Sequence, residues 1–148
     1  MAPEIQLNTD AGAPFRLSSL RGRNVVLYFY PKADTPGCTT ESCEFRDAAE
    51  DFSRHDAAIV GVSPDTPGAQ AKFKTKYGLP FTLLADADHT AAEAYGVWKE
   101  KSMYGRTYMG VERTTFLIDR HGRIAHIFEK VKPAGHAAQV KEALSKLA

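Results

Sequence analysis

The feature that most constrains the fold is a pair of strand-length apolar segments with a helix-length segment between them. Residues 25–30 and 58–63 are apolar without alternation, which is the pattern of strands buried on both faces. Residues 39–55 have the character of a helix. Strands that alternate with helices in this way predict a layered α/β domain, with a central mixed β-sheet flanked by helices.

The rest of the chain supplies smaller elements. Residues 5–7 and 14–17 flank an Asp/Gly turn and predict an N-terminal β-hairpin. Thr66 followed by Pro67 predicts the start of a helix that ends at Gly78. The other expected segments are a strand at 82–85, a short helix at 90–95, a long polar and aromatic loop at 99–110, strands at 114–118 and 123–128, and a closing amphipathic helix at 136–147.

Length and charge narrow the possible functions. We expect one domain spanning residues 1–148, because a chain of this size forms one hydrophobic core. The net charge of +1 gives no reason to expect nucleic-acid or membrane binding, and the apolar segments are too short to cross a bilayer. The first residues lack the features of a signal peptide, which predicts a cytoplasmic, reducing environment. There, two cysteines are more often catalytic or free than bridged.

Cys38 and Cys43 are the only cysteines, and both lie near the start of the first predicted helix. Thr35 and Pro36 repeat the Thr-Pro start of the later helix, so we expect Pro36 to be the first helical residue and Cys38 the third. The sulfur of Cys38 then lies near amide groups that have no partner within the helix. Helix N-termini stabilise negative charge, so this position favours the thiolate, which is the nucleophilic form.

The two cysteines are expected on different faces of this helix. Five residues at about 100° each place them roughly 140° apart, with Cα atoms about 8.6 Å apart on an ideal helix. A disulfide needs Cα atoms within about 7 Å, so the bond requires local unwinding of the first turns. Cys38 aligns with Phe45 and Phe52 on the apolar stripe, whereas Cys43 aligns with charged residues and is expected to face outward. The alternative is two unrelated free cysteines, since a free cysteine is usually a small buried hydrophobe.

Short motifs are spread along nearly the whole chain. The first is Pro31-x-x-x-Thr35-x-x-Cys38, which follows the apolar strand and precedes Cys43 by four intervening residues. The others are Gly61-Val-Ser-Pro-Asp65, Lys76-Tyr-Gly-Leu-Pro-Phe81, Tyr95-Gly-Val-Trp98, Met103-Tyr-Gly-Arg106 and Glu112-Arg-Thr-Thr-Phe-Leu-Ile-Asp119. Together these motifs resemble the peroxiredoxin family, and within it the PrxQ branch, also called bacterioferritin comigratory protein. The resemblance implies a thioredoxin-like fold.

The resemblance also implies reduction of hydrogen peroxide and organic hydroperoxides, with a role for each of five residues. Cys38 corresponds to the peroxidatic cysteine, which attacks the peroxide and becomes a sulfenic acid. Thr35 would bind the peroxide, Pro31 would shield the thiolate from water, and Arg113 would hold the thiolate and the peroxide oxygens. Cys43 corresponds to the resolving cysteine, which forms an intramolecular disulfide. The implied reductant is thioredoxin, with glutaredoxin as the other candidate, and the implied state is a monomer.

Two other functions stay open on the same fold. A thiol–disulfide oxidoreductase uses Cys-x-x-Cys, whose two sulfurs can bridge without unwinding, whereas four residues separate the cysteines here. A redox sensor or chaperone would instead switch a partner when the disulfide forms.

Other polar residues carry weaker signals. Glu41 lies in the first turn after Cys38, where its carboxylate could interact either with the exposed amides or with Arg113. The histidines have no metal-ligand spacing, so we expect them on the surface or in turns, and we expect no metal or cofactor. These histidines are His55, His89, His121, His126 and His136.

Overall fold

The computed structural model describes residues 1–147, along which nine strands and four α-helices follow one another. The strands are β1 (Gln6–Thr9), β2 (Pro14–Arg16), β3 (Asn24–Phe29), β4 (Ala57–Ser63), β5 (Thr82–Ala85), β6 (Trp98–Met103), β7 (Arg106–Val111), β8 (Thr114–Ile118) and β9 (Ile124–Phe128). The helices are α1 (Pro36–Arg54), α2 (Pro67–Tyr77), α3 (Thr90–Ala94) and α4 (His136–Ser145). Within residues 1–147, no helix is both long enough and apolar enough to cross a membrane.

Seven of the strands form a mixed sheet in the order β2-β1-β5-β4-β3-β8-β9. The central strands β3, β4 and β5 run parallel, while the strands on either side of them pair antiparallel. The α/β class with a mixed sheet and the N-terminal hairpin of β1 and β2 are therefore confirmed. Apart from one segment, the predicted element boundaries agree with the structure to within three residues.

The central strand β3 serves two hydrophobic clusters, one on each face of the sheet. All of its residues are buried, and alternate side chains enter opposite clusters. One set is Val25, Leu27 and Phe29, and the other is Val26, Tyr28 and, just beyond the strand, Tyr30. Helices α1 and α4 contribute to the second cluster, which also contains Cys38. A strand covered on both faces has no polar side, which explains its unbroken apolar sequence.

Residues 99–110 do not form the loop that the sequence predicts. β6 and β7 pair antiparallel along this segment, outside the main sheet. Tyr104 and Gly105 form the turn with φ of 53° and 76°, the left-handed backbone that a two-residue hairpin turn requires. The prediction was wrong because most side chains of this hairpin are exposed, so its strands lack the apolar alternation that identifies a strand.

His136 is a second correction, because it is buried at the start of α4 instead of lying at the surface. Its Nε2 lies 2.7 Å from Oγ1 of Thr115, and its ring packs edge-on against Phe45 and Phe128. Burial lowers the pKa of His136 to about 4, so the ring is neutral at neutral pH. The sequence could not reveal this, since the covering side chains come from α1 and β9.

Candidate active site

Cys38 is the third residue of α1, and its side chain is fully buried. The helix begins at Pro36 with Thr35 as its N-cap residue, in agreement with the predicted start. The first-turn amides, which have no partner within the helix, and the positive end of a long helix therefore lie close to the sulfur. Both cysteines are free thiols, and Cys43 is half-buried, so it faces outward less fully than predicted.

Thr35 does not cap the helix with its side chain. Its hydroxyl donates to the carbonyl oxygen of Lys32 at 2.8 Å, whereas the hydroxyl of Thr66 accepts from the amide of Ala69 at 3.2 Å in α2. Thr35 and Thr66 therefore hold the same N-cap position in their helices, but only the hydroxyl of Thr66 bonds to the helix. Because the proton of Thr35 is directed at Lys32, its oxygen keeps lone pairs for another donor.

The loop between β3 and α1 carries Pro31 and Thr35 and is anchored from α2 and from the end of β4. The amide of Ala33 donates to Oδ2 of Asp65 at 2.7 Å. The carboxylate of Asp34 accepts from the hydroxyl of Tyr77 at 2.7 Å and pairs with Lys76 at 3.0 Å. These bonds connect the loop to residues distant in sequence, so its conformation depends on the tertiary fold.

Arg113 joins the start of α1 to the connection between β7 and β8. Its Nη2 donates to Sγ of Cys38 at 3.3 Å, and its Nη1 pairs with Oε1 of Glu41 at 2.8 Å. The carbonyl of Arg113 accepts from the amide of Val131 at 3.0 Å, which holds its backbone. The structure therefore brings together Cys38 and Arg113, which are 75 residues apart in the chain.

Glu41 is the buried carboxyl group of the site. It is 1% exposed, and its Oε2 has no hydrogen-bond partner among the described residues. Burial raises the pKa of Glu41 to about 7, although the Arg113 guanidinium acts in the opposite direction. Of the two interactions that the sequence left open for Glu41, the structure shows the one with Arg113. Its place three residues after Cys38 on one helix face is the signal that indicates this contact.

Gly37 packs against the Arg113 guanidinium, a contact that no pattern in the sequence indicates. A Cβ at this residue would lie 3.0 Å from Nη2 of Arg113 and 3.3 Å from Cγ of Pro133. The absence of a side chain lets the guanidinium approach the first turn of α1. No local pattern distinguishes this glycine from Gly68, which occupies the same place in α2.

Buried tyrosines from β3 and the residue after it lie beneath the helix. The hydroxyl groups of Tyr28 and Ser42 are 2.8 Å apart, and the hydroxyl of Tyr30 donates to Oε1 of Gln70 at 2.6 Å. Burial raises the pKa of both tyrosines, so they stay neutral and act as hydrogen-bonding groups. Because Ser42 precedes Cys43, the Tyr28 bond holds α1 at the point where the second cysteine lies.

The predicted site residues are thus brought together only in part. The loop that carries Pro31 and Thr35 leads directly into the turn that contains Cys38, and Arg113 bonds to the sulfur. Cys43 stays apart, because it lies in the same unbroken helix and ideal helical geometry separates the two Cα atoms by about 8.6 Å.

Comparison with known proteins agrees with this arrangement. The AhpC/TSA family model matches residues 1–127. Peroxiredoxin Bcp from Bacillus subtilis is 51% identical over 143 residues, which are 97% of this chain and 91% of that protein. Peroxiredoxin Bcp from Escherichia coli K12 is 42% identical over 136 residues, which are 92% of this chain and 87% of that protein.

Solved structures extend the similarity to the fold. A mutant of peroxiredoxin Q from Xanthomonas campestris superposes with a TM-score of 0.93 at 40% identity, covering 97% of this chain and 92% of that one. Peroxidoxin BcpB from Mycobacterium tuberculosis superposes with a TM-score of 0.88 at 37% identity, covering 99% and 95%. The sheet and its flanking helices match these thioredoxin-like structures. This chain therefore belongs to the AhpC/TSA family, and within it to the peroxiredoxins of the Bcp (PrxQ) type.

Proposed function

We propose that this protein is a thiol peroxidase that reduces hydrogen peroxide and organic hydroperoxides to water and alcohols, with Cys38 as its nucleophile. Membership of the peroxiredoxin family supports the peroxidase activity in general terms. The observation that carries the residue assignment is the 3.3 Å bond from Arg113 to the buried sulfur of Cys38. This bond supplies a fixed positive charge to the one thiol that also lies at a helix N-terminus.

In the first step, the Cys38 thiolate attacks the terminal oxygen of the peroxide. A sulfur–oxygen bond forms, the oxygen–oxygen bond breaks with its electron pair on the leaving oxygen, and that oxygen takes up a proton to leave as water or alcohol. Cys38 becomes a sulfenic acid. Arg113 donates to the charge that develops, the free lone pairs of Thr35 accept from the peroxide hydroxyl, and Pro31 limits access of bulk water.

In the second step, the thiol of Cys43 attacks the sulfenic sulfur of Cys38. A disulfide forms, the sulfur–oxygen bond breaks, and water leaves. Since an intact α1 separates the two Cα atoms by about 8.6 Å, the helix must unwind between the cysteines before they can bond. A dithiol such as that of thioredoxin, or alternatively glutaredoxin, then reduces the disulfide by exchange. We place this cycle in a monomer in the reducing cytoplasm.

The test uses single-cysteine variants in a coupled assay with thioredoxin, thioredoxin reductase, NADPH and a hydroperoxide. Cys38→Ser is expected to abolish NADPH consumption, because the nucleophile is lost. Cys43→Ser is expected to stop turnover and still form one sulfenic acid per chain at Cys38, detected by a dimedone adduct and mass spectrometry.

Three outcomes contradict the proposal. Equal reaction of peroxide with both thiols would remove the distinction between nucleophile and resolving cysteine. Full turnover in Cys38→Ser would exclude it as the reacting group. A disulfide that forms while peroxide is consumed no faster than by free thiol would instead favour the redox sensor or oxidoreductase alternatives.

A further inference from the structure

The motif at residues 61–65 ends in a carboxylate that bonds to the loop between β3 and α1. Oδ2 of Asp65 accepts two hydrogen bonds, one from the amide of Ala33 at 2.7 Å and one from the hydroxyl of Ser63 at 2.6 Å. Ser63 is the last residue of β4 and is buried, so the sheet itself holds the carboxylate in place. Hydrogen bonds to a carboxylate are stronger than those between neutral groups, so Asp65 attaches the loop firmly to the end of β4.

Strand pairing brings Asp65 to this loop. β3 and β4 are parallel neighbours, with Phe29 opposite Val62, so both strands end at the same edge of the sheet. The amide of Tyr30 continues the pairing and donates to the carbonyl oxygen of Val62 at 3.0 Å. The chain is therefore fixed to β4 up to Tyr30, and the bond from Ala33 to Asp65 fixes it again three residues later.

Ala33 is the central residue of the loop, two residues after Pro31 and two before Thr35. Among the described residues, it is the one member of residues 31–35 whose amide donates beyond the loop. The next residue, Asp34, has φ of 60°, a left-handed backbone that costs free energy in residues other than glycine. Such a conformation persists only where surrounding contacts hold it, and the bond of Ala33 is the contact directly before it.

We propose that Asp65 is a positioning residue for the reaction with peroxide. By holding the amide of Ala33, it fixes the hydroxyl of Thr35 relative to the sulfur of Cys38. Asp65 acts through the loop, since its own carboxylate bonds to Ala33 and Ser63. This role rests on the proposed function of Cys38.

Asp65 and Arg113 position different parts of the site. The guanidinium of Arg113 bonds to Glu41 and to Cys38, and the carbonyl of Arg113 accepts from the amide of Val131. Loss of the Asp65 bond therefore disturbs the group that binds the peroxide and leaves the sulfur with its arginine. The role predicts a selective effect, in which the reaction with peroxide slows and a reaction that needs only the thiolate does not.

The experiment compares two reactions of Cys38 in a Cys43→Ser background. One is the second-order reaction with hydrogen peroxide, followed by stopped flow, and the other is alkylation by iodoacetamide. Asp65→Ala is expected to lower the peroxide rate by about tenfold or more and to leave the alkylation rate unchanged, because a small displacement of a positioned group slows the step that needs it. Asp65→Asn is expected to restore most of the peroxide rate, since its amide oxygen can accept the same two bonds.

Asp119→Ala is the matched control. Oδ1 of Asp119 accepts from the amides of His121 and Arg123 at 2.9 and 3.0 Å, so this variant also removes two bonds to one carboxylate oxygen. Asp119 follows Ile118, which pairs with Val25 near the start of β3, whereas the loop follows the other end of that strand. Both rates are expected to match those of the parent.

A further background tests whether Asp65 acts through Thr35. In Thr35→Val the hydroxyl is absent, so Asp65→Ala is expected to lower the peroxide rate by a smaller factor than it does in the presence of Thr35. A residue that only stabilises the fold would lower the rate by the same factor in both backgrounds. Ser63→Ala removes one of the two bonds to the carboxylate and is expected to have a smaller effect in the same direction, so it carries the test if Asp65→Ala does not fold.

Several results would overturn the inference. They are an unchanged peroxide rate in Asp65→Ala, an equal fall of the peroxide and alkylation rates, and the same loss in Asp119→Ala. Failure of Asp65→Asn to restore the rate, or equal effects with and without the hydroxyl of Thr35, would overturn it as well.

The failure of this inference can be told from failure of the proposed function. The Cys43→Ser parent is first exposed to one equivalent of hydrogen peroxide. If no sulfenic acid forms on Cys38, the proposed function fails. If sulfenic acid forms at the same rate with and without Asp65, the positioning role alone fails.

Discussion

At the scale of single residues, the site depends on the shape of one guanidinium group. Arg113 directs one nitrogen to the sulfur of Cys38 and the other to the carboxylate of Glu41, and a planar fork fixes the two directions relative to each other. A lysine could not hold both groups with the same geometry, because its ammonium is a single point of charge. Small displacements of Arg113 therefore affect both contacts at once.

Gly37→Ala tests this dependence without removing a polar group. The added methyl would lie 3.0 Å from Nη2 of Arg113, so the guanidinium must move by a few tenths of an ångström, which disturbs its bond to the sulfur. We expect the second-order rate with hydrogen peroxide to fall by about tenfold or more, because a donor aimed at the developing charge is displaced. Stopped-flow measurement of peroxide consumption checks this rate.

Gly68→Ala in α2 is the matched control for that variant. This glycine also follows a Thr-Pro pair, and a Cβ there would approach only Oγ1 of Thr66, at 4.0 Å. Both substitutions replace glycine by a better helix former, so they should change stability in the same direction. Equal peroxide rates in the two variants would show that the approach of Arg113 to Gly37 is unimportant.

At the scale of elements, α1 presents Cys38 on a buried face, and the two residues on either side of Cys43 bond to other parts of the fold. Ser42 bonds to Tyr28, and Glu44 accepts from the amide of Gly135 at 2.9 Å. Each contact is made by a residue directly next to Cys43. Because the proposed disulfide needs the helix to unwind between its cysteines, the bond of Ser42 opposes that step, whereas Glu44 holds the helix just beyond it.

Ser42→Ala is expected to accelerate the proposed disulfide formation. The variant removes the bond to Tyr28 and leaves its buried hydroxyl without a partner, which lowers the free energy of unfolding by about 1–3 kcal/mol. A less firmly held second turn unwinds more often, so the disulfide is expected to form faster after one equivalent of peroxide. Rapid quenching with a thiol-alkylating reagent and mass spectrometry measure this rate.

Ser53→Ala on the exposed face of α1 controls for loss of a hydroxyl from the same helix. Tyr28→Phe removes the other partner of the bond and should accelerate the disulfide in a similar way. If Ser42→Ala lowers stability without changing the rate of disulfide formation, this bond does not limit unwinding.

At the scale of the whole molecule, the pairing of strands in the sheet brings the start of α1 close to Arg113. β3 pairs with β4 on one side and with β8 on the other, so the loop after β3 lies beside the residue that precedes β8. Cys38 comes directly after the loop that follows β3, and Arg113 is the residue that precedes β8. The same packing buries Glu41 and His136, whose protonation is thereby coupled to folding.

Glu41 and His136 predict opposite dependences of stability on pH. The pKa of Glu41 is raised in the folded state from 4.5 to about 7, so the folded protein binds this proton more tightly and loses stability as pH rises through that window. The pKa of His136 is lowered from 6.5 to about 4, so the unfolded chain binds that proton more tightly and stability is lost as pH falls. Each shift corresponds to about 3 kcal/mol.

Single variants should separate the two effects, which largely cancel between about pH 4.5 and 6.5 in the parent protein. In Glu41→Gln, the free energy of unfolding is expected to rise more steeply with pH than in the parent. In His136→Asn, the free energy of unfolding is expected to fall with pH relative to the parent. Urea unfolding at a series of pH values measures these slopes. Curves that stay parallel to the parent in both variants would show that neither group titrates as described.

Much of this arrangement can be predicted from local sequence. The apolar segments that became β3 and β4, the start of α1 at Pro36 and the place of Cys38 in its first turn follow from patterns of a few neighbouring residues. Arg113 was identified only through its resemblance to a family motif, because nothing local distinguishes it from another arginine at a strand end. The hairpin of β6 and β7 was missed, since its strands are exposed and its turn residues were the only local signal.

The chain's periodicity, turn residues and helix caps were enough to specify the α/β layers and the helix start at which Cys38 lies. They act between residues close in sequence, where backbone preference and side-chain pattern are decisive. The bonding of the Thr35 hydroxyl, the choice between the two possible partners of Glu41 and the burial of His136 were decided only in the folded molecule. Each depends on which distant groups become neighbours and exclude water, and that depends on how the sheet and its helices pack together.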